Sequence, residues 1–256
     1  MHAQESHILL TPLGDGSFSV VYEAYDVQKQ RRVAVKKVAH RNDGPSVYNE
    51  IKANEVVKGI RGIAPLLGHY TTKDATCLIF EKVQGVDLFG MMEGRDFCPL
   101  PESVVLSIMS SVASILSSCH SRGVAHRDVK LENIMIDRNG RVYLIDFGLA
   151  SFFRLSNGRE TSSTDFCGSV EYMPPECVYE MNVKATATDA WALGITLYAL
   201  LFGCFPYSKE EMPEVFSTQH HVPLPDHAKV SEDMRFRLES LLCINPKNRA
   251  SIDIML

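Results

Sequence analysis

His126-Arg127-Asp128-Val129-Lys130-Leu131-Glu132-Asn133, with Asp146-Phe147-Gly148 a short way downstream, is the stretch on which fold and chemistry both turn. Asp128 can accept or orient a hydroxyl proton, and Lys130 can neutralise a phosphoryl group in transfer. Asn133 and Asp146 offer hard oxygen ligands of the kind Mg²⁺ takes. Between them, residues 134–137 and 142–145 read as two short strands around Arg138-Asn139-Gly140, a hairpin signal. Such a hairpin would make the four groups converge. Each group alone fits a solvated loop charge, so the meaning lies in their joint spacing.

Working outward towards the N-terminus, Leu13-Gly14-Asp15-Gly16-Ser17-Phe18-Ser19-Val20-Val21 puts two glycines in the turn after a short strand. Glycine there lets backbone N–H groups approach an anion, although a plain hairpin turn has the same look. A dinucleotide fingerprint is disfavoured, because a strand pattern follows the loop and Ser19 holds the third glycine position. Val33-Ala34-Val35-Lys36 then places one lysine on an apolar strand. A half-buried ammonium needs a counter-charge, which Glu50 on a following helix can supply. Taken singly, a lysine such as Lys36 is more often a solvated strand lysine.

Short β-branched segments at 18–25, 32–38, 65–70 and 76–80 read as a small antiparallel sheet, interrupted by one helix over 46–59. After residue 86 the pattern turns helical, with a long amphipathic segment at 101–121. Residues 190–207 carry no charge, long enough for a membrane span. Asp189 at the edge, two internal glycines, Pro206 and the lack of a basic flank favour a helix buried in a large lobe. The polar run 156–165 reads as a mobile surface loop.

The ordered set G-x-G-x-F-x-x-V, V-A-V-K, H-R-D-x-K-x-x-N, D-F-G and P-P-E resembles the eukaryotic protein kinase domain over nearly the whole chain. The wording of residues 126–137, 167–176 and 189–207 is most similar to serine/threonine kinases of the calmodulin-dependent and Snf-like group. The resemblance implies an α+β bilobal fold, with a small antiparallel-sheet N-lobe carrying one helix (7–81), a hinge (81–86) and a larger helical C-lobe (87–256). It implies ATP and Mg²⁺ as cofactors and protein Ser/Thr hydroxyls as acceptors. Residues Leu13 to Val21 would cover the ATP phosphates, and Lys36, paired to Glu50, would hold the α/β-phosphates. Ala34, Val21 and Met135 would sandwich adenine, while Glu81 and Val83 would bind its edge and Phe80 would act as gatekeeper. Asp128 would be the catalytic base, Lys130 would touch the γ-phosphate, and Asn133 and Asp146 would ligate Mg²⁺. Glu176 would pair with Arg249, and Asp189 would anchor the catalytic loop.

Against the family pattern, Asn54 stands four residues after Glu50 where an apolar residue is usual, which leaves Glu55 open as the lysine's partner. Leu256 follows Arg249 closely, so the last helix of the fold is expected to be curtailed, and control is expected from the activation loop or from partners. Asp165 occupies the position where a phosphothreonine usually sits; it could pair with Arg127, with Thr161 or Thr164 as rival phosphosites. Asp87 and Glu132 would receive basic residues upstream of the target Ser/Thr, although Ala199 replaces a further glutamate found in some basophilic kinases. A nucleotide-binding pseudokinase scaffold is the first alternative, and a small-molecule kinase the second.

The 256 residues are 45% hydrophobic and 22% charged, which excludes disordered, collagenous and disulfide-scaffold classes. A net charge of −5 provides no global field for nucleic acid or anionic lipid. Seven cysteines without a C-x-x-C pair argue for buried thiols in a reducing compartment rather than zinc. A monomeric catalytic domain in the cytoplasm or nucleus is expected, without membrane or nucleic-acid partners.

Overall fold

A computed structural model describes residues 7–16, 19–40, 47–156, 159–160, 168–179, 183–225 and 229–256. The strand patterns near the N-terminus assemble into one five-stranded antiparallel sheet: β1 (His7–Asp15), β2 (Ser19–Asp26), β3 (Arg31–Ala39), β4 (Leu66–Thr71) and β5 (Ala75–Glu81), in the order β1-β2-β3-β5-β4. Period-two alternation sets the faces of β3. Val33 and Val35 are fully buried on one side with Ala24, Cys77 and Ile79, which puts Ala34 and Lys36 on the other. The single helix of this lobe, α1 (Val47–Val56), buries Glu50, Ala53 and Asn54.

Residues 82–84 connect to β6 (Gly85–Asp87), and Asp87 caps the next helix, α2 (Leu88–Glu93), by accepting the Gly90 amide at 2.8 Å. The large lobe is built on α3 (Glu102–His120), which leads to β7 (Val124–Ala125). The expected hairpin is present as β8 (Ile134–Asp137) and β9 (Val142–Leu144), with β6 as its third strand. Beyond it come β10 (Ser151–Phe152), β11 (Leu155–Ser156), β12 (Arg159–Glu160), α4 (Pro175–Val178), α5 (Ala185–Phe202), α6 (Met212–Thr218) and α7 (Glu232–Leu241). After Arg249 the chain ends in one 3₁₀ turn, Ile252–Met255, seated on α3 through a 2.5 Å bond from Ser110 Oγ to the Met255 carbonyl.

The charge-free run falls mostly on α5, apolar all round because it lies inside the large lobe. Trp191, Leu193, Ile195 and Leu197 have no exposed surface. α5 and α3 are both long and apolar enough to cross a membrane, yet 83% of the α5 window is enclosed by the protein itself. Gly203 ends α5 in the left-handed region at φ 70°, where a Cβ would lie 1.9 Å from the Phe97 carbonyl oxygen. Only glycine fits that crossing.

Of the run 156–165, expected to be a mobile surface loop, only residues 156, 159 and 160 are described. β11 and β12 form a short hairpin, and Glu160 accepts from Thr186 Oγ1 (2.5 Å) and Thr186 N (3.3 Å) in the first turn of α5. Polar composition suggested solvent, but a carboxylate is also the right partner for exposed helix N–H groups. Residues 161–167, including the proposed Asp165, lie outside the described residues.

Candidate active site

Each element delivers one group to the space between the lobes. Lys36 on β3 places Nζ 2.8 Å from Glu50 Oε1 on α1 and 2.6 Å from Asp146 Oδ1, just past β9. Glu55 is solvent-exposed, so Glu50 is the partner. Asn54 accommodates this arrangement by donating Nδ2 to the Glu50 carbonyl at 2.9 Å, satisfying its own amide within the helix. Burial alone would depress the Lys36 ammonium, but the Glu50 and Asp146 carboxylates outweigh it and hold the pKa above the ordinary lysine value. Burial would likewise raise Asp146; Lys36 and the Gly148 amide at 2.9 Å keep it below the ordinary carboxylate value. Glu50 is pushed up, by burial first and by Asp146 as second carboxylate, with Lys36 opposing. Gly148 makes this approach possible, since a Cβ there would sit 2.9 Å from Asp146 Oδ1 and 3.2 Å from Lys36 Nζ.

The catalytic-loop residues form a second cluster around Asp128. Lys130 Nζ lies 2.8 Å from Asp128 Oδ2, and Asn133 Nδ2 donates to the same oxygen and to the Asp128 carbonyl, both at 2.8 Å. Ser169 closes the ring: its Oγ donates to Asp128 Oδ1 (3.2 Å) and accepts from Lys130 (2.9 Å). Ser169 was not singled out from the sequence, although it lies within residues 167–176, one of the three stretches whose wording carries the resemblance. Asp128 is therefore orientated by three neighbours rather than free to rotate.

Below the loop, Asp189 is fully buried and accepts from the His126 amide (2.9 Å), the Arg127 amide (2.7 Å) and His120 Nε2 (2.7 Å). Burial would raise this carboxyl, but His120 and the amides hold it below the ordinary range. Those bonds support Arg127 at φ 65°, a left-handed conformation costly for a non-glycine residue; Asp146 adopts the same region at φ 63°. His126 donates Nε2 to the Ile145 carbonyl (3.0 Å) and receives the Asp128 amide on Nδ1 (3.3 Å), with its ring edge-on to Phe147 at 4.8 Å. His120 is a second residue that no motif marked.

The remaining expected positions are placed as follows. Gly16 and Ser19 close the loop between β1 and β2 through backbone bonds (Gly16 N to Ser19 O, 2.8 Å), and a Cβ at Gly14 would meet nothing within 4 Å. Leu13 and Asp15 are exposed and Val20 and Val21 half-buried; Ser17 and Phe18 are outside the described residues. Ala34, Phe80 and Met135 are partly buried and Glu81 is exposed, with its amide committed to the Pro65 carbonyl at 3.0 Å; Val83 follows in the connection. Glu176 and Arg249 form a buried two-pronged pair at 2.5 and 2.8 Å. Ala199 is buried inside α5.

The donor set suits nucleotide and metal. Among the described residues, Asn133 Oδ1 and Asp146 Oδ2 accept no hydrogen bond, and no group of three or more His, Cys, Asp or Glu gathers to hold a metal alone. Two hard oxygens beside an ammonium fit Mg²⁺ completed by phosphate oxygens.

Residues 8–256 match the protein kinase domain family, and the chain belongs to that family. It is similar to testis-specific serine/threonine-protein kinase 3 of Homo sapiens, at 31% identity covering 90% of this chain and 86% of that protein. CBL-interacting serine/threonine-protein kinase 7 of Arabidopsis thaliana is 29% identical over 95% of this chain, which spans 57% of that relative. A probable serine/threonine-protein kinase KIN1 homolog of Encephalitozoon cuniculi is 32% identical over 81% of this chain and 37% of its own length.

Proposed function

We propose that the chain is an intracellular, ATP- and Mg²⁺-dependent protein serine/threonine kinase in which residues 7–81 and 87–256 form the lobes of one catalytic domain. The observation that carries this reading is a pair of clusters, Lys36–Glu50–Asp146 and Asp128–Lys130–Asn133, whose segments are joined where the Ile145 amide donates to the Asn133 carbonyl at 2.9 Å. Bound Mg²⁺ supplies charge neutralisation on the ATP phosphates. Lys36, released from Asp146 while still on Glu50, holds the non-transferred phosphates, and Asn133 with Asp146 provides metal ligands. A substrate hydroxyl attacks the γ-phosphorus as the bond to the β,γ-bridging oxygen breaks and ADP leaves. Asp128, aimed by Ser169 and Asn133, takes the hydroxyl proton, and Lys130 offsets the charge of the phosphoryl group.

Glu132 is exposed at the surface, yet its carboxyl is pushed upward by partial desolvation, with its own backbone amide and Lys130 opposing and with Asp128 and Asp87 adding repulsion, which gives a substrate cation carboxylates to pair with. Peptides with Arg or Lys before the target residue are the preferred substrates on this reading. Labelled-phosphate transfer from ATP to a basic Ser/Thr peptide tests it, with Asp146→Asn as control. Transfer that the substitution abolishes supports the kinase, whereas nucleotide binding without transfer favours a pseudokinase scaffold. A peptide array without upstream basic preference removes the specificity claim alone.

A further inference from the structure

The C-terminal end of α3 meets the site from two sides. His120, its last residue, reaches Asp189, which holds the amides of the catalytic loop. Two residues on, Arg122 reaches the other lobe. Its Nη1 donates to the Val56 carbonyl at 2.9 Å and to the Lys58 carbonyl at 2.8 Å, so the two hydrogens of one nitrogen are spent on the last residue of α1 and on the turn that follows it. α1 has no basic residue in its own last turn. Its terminal carbonyls need donors and its negative dipole end favours a cation, and Arg122 meets both needs from a distant part of the chain. α1 carries Glu50, and Glu50 carries Lys36. Midway along α1, Lys52 Nζ lies 4.7 Å over the Phe152 ring of β10.

We propose that Arg122 is a positioning residue that ties α1, and with it the Lys36–Glu50 pair, to the end of α3 that also supports the catalytic loop. The proposal rests on the kinase reading for its consequence on activity, but not for the tie itself. Without the tie, Glu50 can drift from Lys36, and the nucleotide side of the site loses register with Asp128.

Two measurements on the full chain test it. The first is kcat/KM for ATP in Arg122→Ala and Arg122→Lys, each alone and in a Glu50→Gln background. Arg122→Ala should lose about three- to thirtyfold, with Arg122→Lys recovering part of the loss, and in the Glu50→Gln background the added loss should shrink to under about twofold. An unchanged kcat/KM overturns the proposal, as does an equal loss with and without Glu50. The second is hydrogen–deuterium exchange over residues 47–60, which reads the tie without catalysis. Faster exchange confined to that stretch in Arg122→Ala supports it, while no change, or uniform acceleration across the protein, overturns it. An inactive wild-type chain whose exchange still responds locally sinks the kinase reading and leaves the tie standing.

Discussion

Two cation–carboxylate groups lie in different regions and behave as opposites. At the cleft, Lys36 is shared between Glu50 and Asp146, joining segments 14 and 110 residues away. In the large lobe, Arg249 makes both prongs to Glu176, donates to the Ala187, Cys243 and Ile244 carbonyls, and lies 4.7 Å over the Trp191 ring. The difference lies in what each can release. A lysine is a compact charge that can trade a carboxylate for a phosphate, whereas an arginine locked by a fork, three carbonyls and a ring has nothing to trade. The first group is poised for ligand, and the second braces the fold.

Removing one side of each group breaks the comparison most directly. Arg249→Ala leaves Glu176 charged and buried, and should cost about 3–5 kcal/mol in denaturant unfolding, while activity per folded molecule is largely kept. Asp146→Asn should do the reverse, lowering phosphate transfer about 10²–10³-fold with little change in Tm. An inactive but stable Arg249→Ala protein would merge the two groups into one.

Asp189 stands between the two, buried like the brace but serving the site. Asp189→Asn should cost about 2–3 kcal/mol at neutral pH. Because the folded carboxyl lies below its ordinary value, its contribution is present above about pH 4 and is lost as pH falls through the folded value. The stability gap between wild type and variant should therefore narrow below that pH, and a constant gap would show that charge is not its cause.

Glu50→Gln should lower transfer about tenfold, and Glu55→Gln, on the solvent side of the same helix, should leave it unchanged. The smallest effect belongs to the short hairpin: Glu160→Gln, which weakens the bonds to Thr186, should cost about 1 kcal/mol and speed proteolysis near residue 160.

Much of this was legible because it is local. Period-two alternation gave the strands, helical spacing gave α3, and the hairpin signal at 138–140 brought Asn133 and Asp146 to one end. Less legible were residues whose role lies in a distant partner: Ser169 beside Asp128, His120 beside Asp189, Arg122 at the end of α1 and Glu160 at the start of α5. Each carries an ordinary polar side chain in an ordinary context. The choice of Glu50 over Glu55 was of the same kind, since both lie on one helix and only its rotation against β3 separates them.

By itself, then, the sequence determined the family, the two-part architecture and which groups are proposed to handle phosphate, because backbone periodicity and motif spacing are written within short windows. Which carboxylate meets Lys36, what orientates Asp128, and how the lobes are held in register were decided only by tertiary structure. Those outcomes depend on contacts between segments far apart in the chain, fixed by how helices and sheet pack rather than by any local pattern.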